Sequence, residues 1–404
     1  MGRKLWNKDY LLMLQGHAVS TIGDVMYSVA IGYWVYEKTG STSLMGIMSS
    51  ISMFVTMFLS PFAGSIIDRC NRKWMVVTID ALQGLVMLVI ALLAFLNSLN
   101  VPVVILAAVV ASFGSVLYSP AVSTMMLDLI PHDEMVRGQS IYSASKALIN
   151  LVGSAFSGVM VAFFGVPLIV AINGVSNLYS AATELFINVP RSKQQGTPVT
   201  VKGVLKDIGT ALKIVFTNRY LKLFIPFMLI LNLLSAGPFS LILPFCMEKG
   251  FSVDMYGYLM AAYMTASVVA TLVMGAVKLK PKQRYSLMSS SFVISLLFFF
   301  AAYMSNQFIL TCVMTACAAL FNVAANSIFF ATMSLALPEE NRGAILGFVD
   351  AASTGGSALS ALIYGFLGDL FPLYIVFATG VAITIVPMLI LCINPRTKEF
   401  ILTH

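Results

Sequence analysis

Charge is scarce in this chain. Only 10% of its 404 residues are Asp, Glu, Lys or Arg, against about 25% in a soluble globular protein. Such a chain cannot cover a water-facing surface, which excludes a soluble domain. Histidine occurs three times, at His17, His132 and His404, too scattered for a histidine metal cluster, so no metal is expected. The five cysteines, Cys70, Cys246, Cys312, Cys317 and Cys392, show no paired spacing and read as small buried hydrophobes. No phosphate-binding Gly-x-x-x-x-Gly-Lys-Ser/Thr loop, His-Glu-x-x-His, Cys-x-x-Cys or nucleophile elbow is present, so neither ATP hydrolysis nor enzyme catalysis is expected. A cleavable leader is not expected either, because the first apolar span is too long for one.

What the chain has is apolar length. Hydrophobic residues make up 59%, and the mean hydropathy is +0.90. Apolar spans fall near 10–36, 44–67, 74–96, 102–126, 139–163, 166–189, 220–245, 255–277, 285–304, 307–335, 343–368 and 372–393. Each suits a hydrocarbon core that needs roughly 20 helical residues. An all-α, polytopic membrane protein with twelve transmembrane helices is therefore predicted. Placing the N-terminus in the cytoplasm puts nearly all of the 24 Lys and Arg on that side; only Lys38 and Lys249 fall outside, and Lys146 lies within a span. That asymmetry predicts a cell-membrane protein with both termini cytoplasmic. The net charge of +7 is then a topology signal facing the lipid bilayer, and no nucleic-acid partner is expected.

The chain divides into a six-helix bundle at 1–190, a linker at 191–218 and a second bundle at 219–404. In the linker, Val201, Val204, Leu205, Ile208, Leu212 and Val215 recur at helical spacing opposite Lys202, Lys206 and Lys213, which predicts an amphipathic helix on the inner membrane surface. The halves repeat each other. Pro131, Asp133, Glu134, Arg137 and Gly138 precede the fifth span as Pro338, Glu339, Glu340, Arg342 and Gly343 precede the eleventh. Both halves begin on the same side, so they are parallel repeats.

Ionisable residues inside spans are the first functional candidates in a membrane protein. Asp24 lies mid-span beside Gln15, His17 and Ser20; as a buried acid it suits a proton carrier. Lys146 and Asp350 lie inside the fifth and eleventh spans. Asp80 reads as an interfacial hydrogen-bonded acid, and Glu184 as one that reaches out to the membrane face. Tyr27, Trp34, Tyr118, Asn232, Phe239, Asn322 and Asn326 add aromatics and amides to the first, fourth, seventh and tenth spans. With Gln15 and His17, they would line a cavity for a bulky amphipathic compound.

One burst of charge separates the second and third spans: Gly64-x-x-x-Asp68-Arg69-x-x-Arg72-Lys73. It resembles the loop between helices 2 and 3 of the major facilitator superfamily of transporters, with Asn71 where the family usually has Gly. Both residues tolerate a left-handed backbone, so the same turn is expected. Gln15-Gly16-x-x-Val19-Ser20-x-x-Gly23-Asp24 and Tyr36-Glu37-x-Thr39-Gly40-Ser41 resemble the drug:proton antiporter branch, which includes macrolide-efflux and enterobactin-exporter proteins. Departures are Gly153-Ser154, where members often carry Gly-Pro, and Gln83 after Asp80, where they often carry Arg. The resemblance implies the two-bundle fold, working as a monomer by alternating access. It implies neighbouring helices 1 and 5, hence an Asp24–Lys146 pair, and an Asp68 that docks at the start of helix 11 near Arg342. Proton-driven efflux of a small amphipathic molecule follows, with the proton gradient in place of a cofactor. The alternatives are a lipid or lysophospholipid flippase of the same fold and a non-transporting membrane receptor or scaffold.

Overall fold

The computed structural model describes residues 5–131, 134–189, 209, 213, 216–217, 221–277, 279–336 and 342–403. The linker helix expected at 201–217, apart from isolated positions, and Lys278 lie outside them. Every regular element among the described residues is helical: α1 (Lys8–Thr39), α2 (Thr42–Arg69), α3 (Arg72–Phe95), α4 (Val101–Leu129), α5 (Met135–Glu184), α6 (Leu221–Ser240), α7 (Ile242–Glu248), α8 (Val253–Ala276), α9 (Pro281–Met304), α10 (Phe308–Ala336), α11 (Arg342–Leu370), α12 (Leu373–Ile393) and α13 (Pro395–Thr403).

Local sequence sets the breaks. Asn7 caps α1 by accepting from the Tyr10 amide, and Gly40 ends that helix with φ 63°, a conformation that costs glycine little. Asn71 corrects an expectation. Its φ is −72°, and its side chain accepts from the Trp74 amide. It serves as the N-cap of α3, a role asparagine fills and glycine fills only through its backbone. α5 runs through two expected spans, with a non-helical Gly165 (φ 71°, ψ 162°) between its legs and Pro167 after it. α6 and α7 meet at a 52° bend, with Pro238 inside α6, where a missing amide weakens the ladder.

Eight of these segments are long and apolar enough to cross a membrane, or nine if α6 and α7 form one span. Three further long stretches match expected spans but carry more polar residues: α1, the first leg of α5, and α11. Hydrophobics such as Leu85, Val89, Leu92, Phe163, Leu272 and Ile390 are exposed, as a lipid-facing surface requires.

The chain forms two compact units, one of Met1–Gly40 with Phe54–Thr200 and one of Ser41–Met53 with Val201–His404. The division falls inside α2. In the first unit, α5 packs on both α1 and α3. A core of Tyr10, Met13, Ile67, Met125, Met126 and Leu129 closes one end. In the second unit, the first turns of α2 lie on α11. Thr42 Oγ1 donates to the Gly365 carbonyl at 2.7 Å and Ser50 Oγ to the Ala358 carbonyl at 2.8 Å. Small residues on both helices permit that approach. Asp369, at the far end of α11, accepts from the amide of Thr42 at 2.6 Å, its hydroxyl at 2.8 Å and the Ser41 hydroxyl at 2.9 Å. It thus caps α2 from another helix, with its charge at the positive end of the helix dipole. Glu248 does the same for α12, accepting twice from the Leu373 amide at 3.0 and 2.9 Å.

Candidate functional site

The second leg of α5 carries Asn173, Asn177, Ser180 and Glu184, spaced so that one helix face is polar. All four are buried. In an apolar span such a stripe must face protein, because lipid offers no hydrogen bonds. Against it lies the small-residue face of α1. A Cβ added at Gly16 would stand 3.0 Å from Thr183 Oγ1 and 3.1 Å from Ser180 Oγ, and one at Gly23 would stand 2.7 Å from Asn173 Oδ1.

Three acids meet this stripe. Asp24 on α1 accepts from Asn177 Nδ2 at 3.3 Å. Asp80 on α3 and Glu184 are each 1% exposed. The Tyr118 hydroxyl on α4 reaches both, at 3.4 Å from Asp80 Oδ2 and 3.3 Å from Glu184 Oε1. Ser180 Oγ donates to the same Glu184 oxygen at 3.4 Å. His17 is buried and stacks between Tyr118 and Tyr142, with ring centroids at 6.0 and 5.0 Å.

These positions differ in part from the expected ones. Asp24 faces the polar stripe of α5, Asp80 is hydrogen-bonded as expected, and Glu184, read as reaching the membrane face, is buried. The helices of Asp80 and Glu184 turn them toward α4 and away from the membrane face. The expected Asp24–Lys146 pair is absent: Asn177 serves Asp24 instead, and Lys146 on the first leg of α5 is exposed. The four-residue stripe on the sixth span was the sequence signal for Glu184, since a lone acid near a helix end reads as snorkelling but the last rung of a polar face does not. Gln15 is exposed and donates to the Tyr179 hydroxyl at 3.4 Å. The Tyr27 hydroxyl is buried without a hydrogen-bond partner among the described residues, and Trp34 is half-buried.

At the charged loop, Arg72 pairs with Asp128 at 2.6 Å and Lys73 Nζ donates to the Leu185 carbonyl at 2.7 Å. Both cations therefore tie helices of the first unit together. Arg137 sits 3.5 Å from Glu134 in an exposed pair. Gly64 lies within α2. The side chains of Asp68, Arg69 and Arg342 lie outside those described, so the docking of Asp68 near Arg342 remains an expectation.

The second unit holds a cavity of about 420 Å³. Phe239, Phe245, Tyr263, Phe299 and Tyr303 give it aromatic walls, and Ser240, Thr311, Thr315, Asn322 and Ser357 dot them with hydroxyls and an amide. Phe239 packs on Tyr263 with centroids 5.8 Å apart. Of the four cavity candidates in this half, Phe239 and Asn322 line the space. Asn326 lies one turn behind, donating to Asn322 Oδ1 at 3.0 Å, and Asn232 accepts from Ser357 Oγ at 3.5 Å. Asp350 is exposed on α11. No group of three or more potential metal ligands occurs among the described residues.

An all-helical membrane protein with an internal amphipathic cavity and intramembrane acids has the makings of a membrane transporter. The sequence profile of the Major Facilitator Superfamily matches residues 13–252 and 227–401, so the chain belongs to that family. The chain is similar to macrolide efflux protein A of Streptococcus pyogenes, at 22% identity over 186 residues, 46% of each chain. It is also similar to the multidrug efflux pump Tap of Mycobacterium tuberculosis, at 28% identity over 229 residues, 52% of each. The chain thus spans about half the length of the curated relatives it matches. Among solved structures, the nucleoside transporter NupG superposes with TM-score 0.74 at 13% identity, covering 95% of this chain and 98% of that one. A bacterial homologue of the iron transporter ferroportin, in an inward-facing state, gives 0.65 at 16% identity, covering 96% and 99%. At these identities the likeness is one of fold.

Proposed function

We propose that this protein exports a bulky amphipathic compound across the cell membrane by alternating access, in exchange for protons. Both termini are cytoplasmic in this reading, and the working unit is a monomer. The lining of the second unit's cavity carries the proposal. Five aromatic rings with scattered hydroxyls and one amide match a ligand that is mostly apolar and carries a few polar groups. No charged residue is among the lining residues, which disfavours small, highly charged substrates. The efflux relatives support the direction of transport, and the carboxyls of the first unit support protons as the coupling ion.

Ligand-induced thermal shift tests the cavity. A ligand that binds only the folded state stabilises it by RT ln(1 + [L]/Kd), about 2.7 kcal/mol at a hundredfold excess over Kd. Macrolides and other amphipathic drugs should raise the melting temperature of the purified protein, and Phe239→Ala with Asn322→Leu should remove most of that rise. A rise with lysophospholipids alone favours the flippase, and no rise with either class contradicts the proposed site.

A further inference from the structure

We propose that Asp80 and Glu184 hold one proton between them through Tyr118, so that the trio is a buried proton-binding site. The statement deepens the transport reading for its role in coupling, but the site itself is read on the resting protein.

Geometry forces the proton. Both carboxyls are 1% exposed, and one phenol oxygen lies within hydrogen-bond reach of both. A phenol carries a single proton and can donate to only one of them. The second oxygen of Glu184 has no hydrogen-bond partner among the described residues. Left ionised, Glu184 would bury an incompletely solvated charge beside a second charge, a doubly unfavourable arrangement. Protonated at Oε1, it donates to Tyr118, Tyr118 donates to Asp80, and its second oxygen becomes a neutral carbonyl that tolerates the missing bond.

No cation among the described residues offers an alternative. Lys73 on α3 is bound to the Leu185 carbonyl, Arg72 pairs with Asp128, and Lys146 on α5 is exposed. Facing the trio from α1 are His17, stacked on the Tyr118 ring, and Asp24, close enough to act on Asp80 through space. His17 Nε2 is buried and also without a hydrogen-bond partner among the described residues.

The relay conserves atoms and charge. Glu184 passes its proton to Tyr118 Oη as Oη passes its own to Asp80 Oδ2. One O–H bond breaks and one forms at each step, and the trio keeps a charge of −1. A second proton, taken from water, neutralises the trio, and its loss restores it. The two acids then titrate as a pair rather than singly.

Infrared difference spectroscopy of the full chain in nanodiscs tests this. At neutral pH the unmodified protein should show a protonated-carboxyl C=O band that shifts in heavy water. Glu184→Gln and Asp80→Asn should each remove or displace it, whereas Asp24→Asn should leave it in place. Tyr118→Phe should keep a protonated carboxyl but shift the band, because its hydrogen bond is gone. Absence of the band from the unmodified protein overturns the proposal without recourse to any variant. So does a band unchanged in both Glu184→Gln and Asp80→Asn. If the band behaves as expected while no amphipathic compound moves or binds, the transport reading fails and the proton site stands.

Discussion

The contact between α1 and the second leg of α5 sets Asp24 against Asn177, and Gly23 is its tightest point. In Gly23→Ala the new methyl would meet Ser176 Oγ closer than real Cβ contacts occur, Asn173 Oδ1 at 2.7 Å and the Asn173 Cα at 3.2 Å. Asn173 is fully buried and Ser176 nearly so. Alanine improves helix propensity by roughly 1 kcal/mol, while overpacking a buried contact costs about 1–3 kcal/mol. The backbone neighbour at 3.2 Å cannot rotate away, so a net loss of about 1–2 kcal/mol is expected. Gly16→Ala is the internal control. Its nearest atoms are two hydroxyls at 3.0 and 3.1 Å, with the backbone at 3.7 Å. Hydroxyls can swing aside, and the propensity gain should roughly cancel the strain. Thermal unfolding in detergent should rank Gly23→Ala well below both Gly16→Ala and the unmodified protein. Adding Ser176→Ala to Gly23→Ala removes the nearest clash and should recover part of the loss. A Gly23→Ala protein as stable as Gly16→Ala would refute the packing of α1 on α5.

Arg72→Ala and Asp128→Ala should each cost about 1 kcal/mol, more than a fully exposed pair, and the double change should cost less than the singles together; additive losses in unfolding measurements would show that the two do not act as a pair. Asp369 lies beyond the apolar run of the eleventh span. Burial alone would raise its carboxyl, but hydrogen bonds from Ser43, Thr42 and Ser41 outweigh that and hold it below the usual carboxylate range. A depressed carboxylate stabilises the fold above its unfolded pKa and loses that effect as pH falls through the folded one. Stability should therefore drop below about pH 4 in the unmodified protein, and more weakly in Asp369→Ala. Lys249 donates to the carbonyls of Tyr303, at 2.7 Å, and Ser305, so Lys249→Met should loosen the end of α9, measured as faster amide exchange at Ala302–Met304.

Fold was readable wherever hydropathy alone decides. The apolar runs at 74–96 and 372–393 match α3 and α12 within a few residues, because about 20 apolar residues can do little else in a bilayer. Two neighbouring runs joined by Gly165 and Pro167 also resolve as two legs. The site was harder. Depth along a span can be counted, but which face of a helix meets protein depends on packing. Asp24 was found by depth, yet its partner proved to be Asn177 on the sixth span, not Lys146 on the fifth. Asp80 and Glu184 stand near the ends of their apolar runs, where snorkelling is the ordinary outcome. Only the alignment of Asn173, Asn177 and Ser180 with Glu184 distinguishes an inward face. Asn71 shows the same limit locally: its identity fitted two backbone states, and the cap to Trp74 selected one.

Proton-driven movement of an amphipathic compound is the most direct test of the transport reading. Purified protein in proteoliposomes, loaded with a fluorescent amphipathic drug, should move it against its concentration gradient when a pH difference is imposed. A protonophore should abolish that movement, and Glu184→Gln should leave only downhill exchange. Uphill movement that persists after the pH difference is collapsed, or movement of labelled lysolipid with none of the drug, would contradict proton-coupled export.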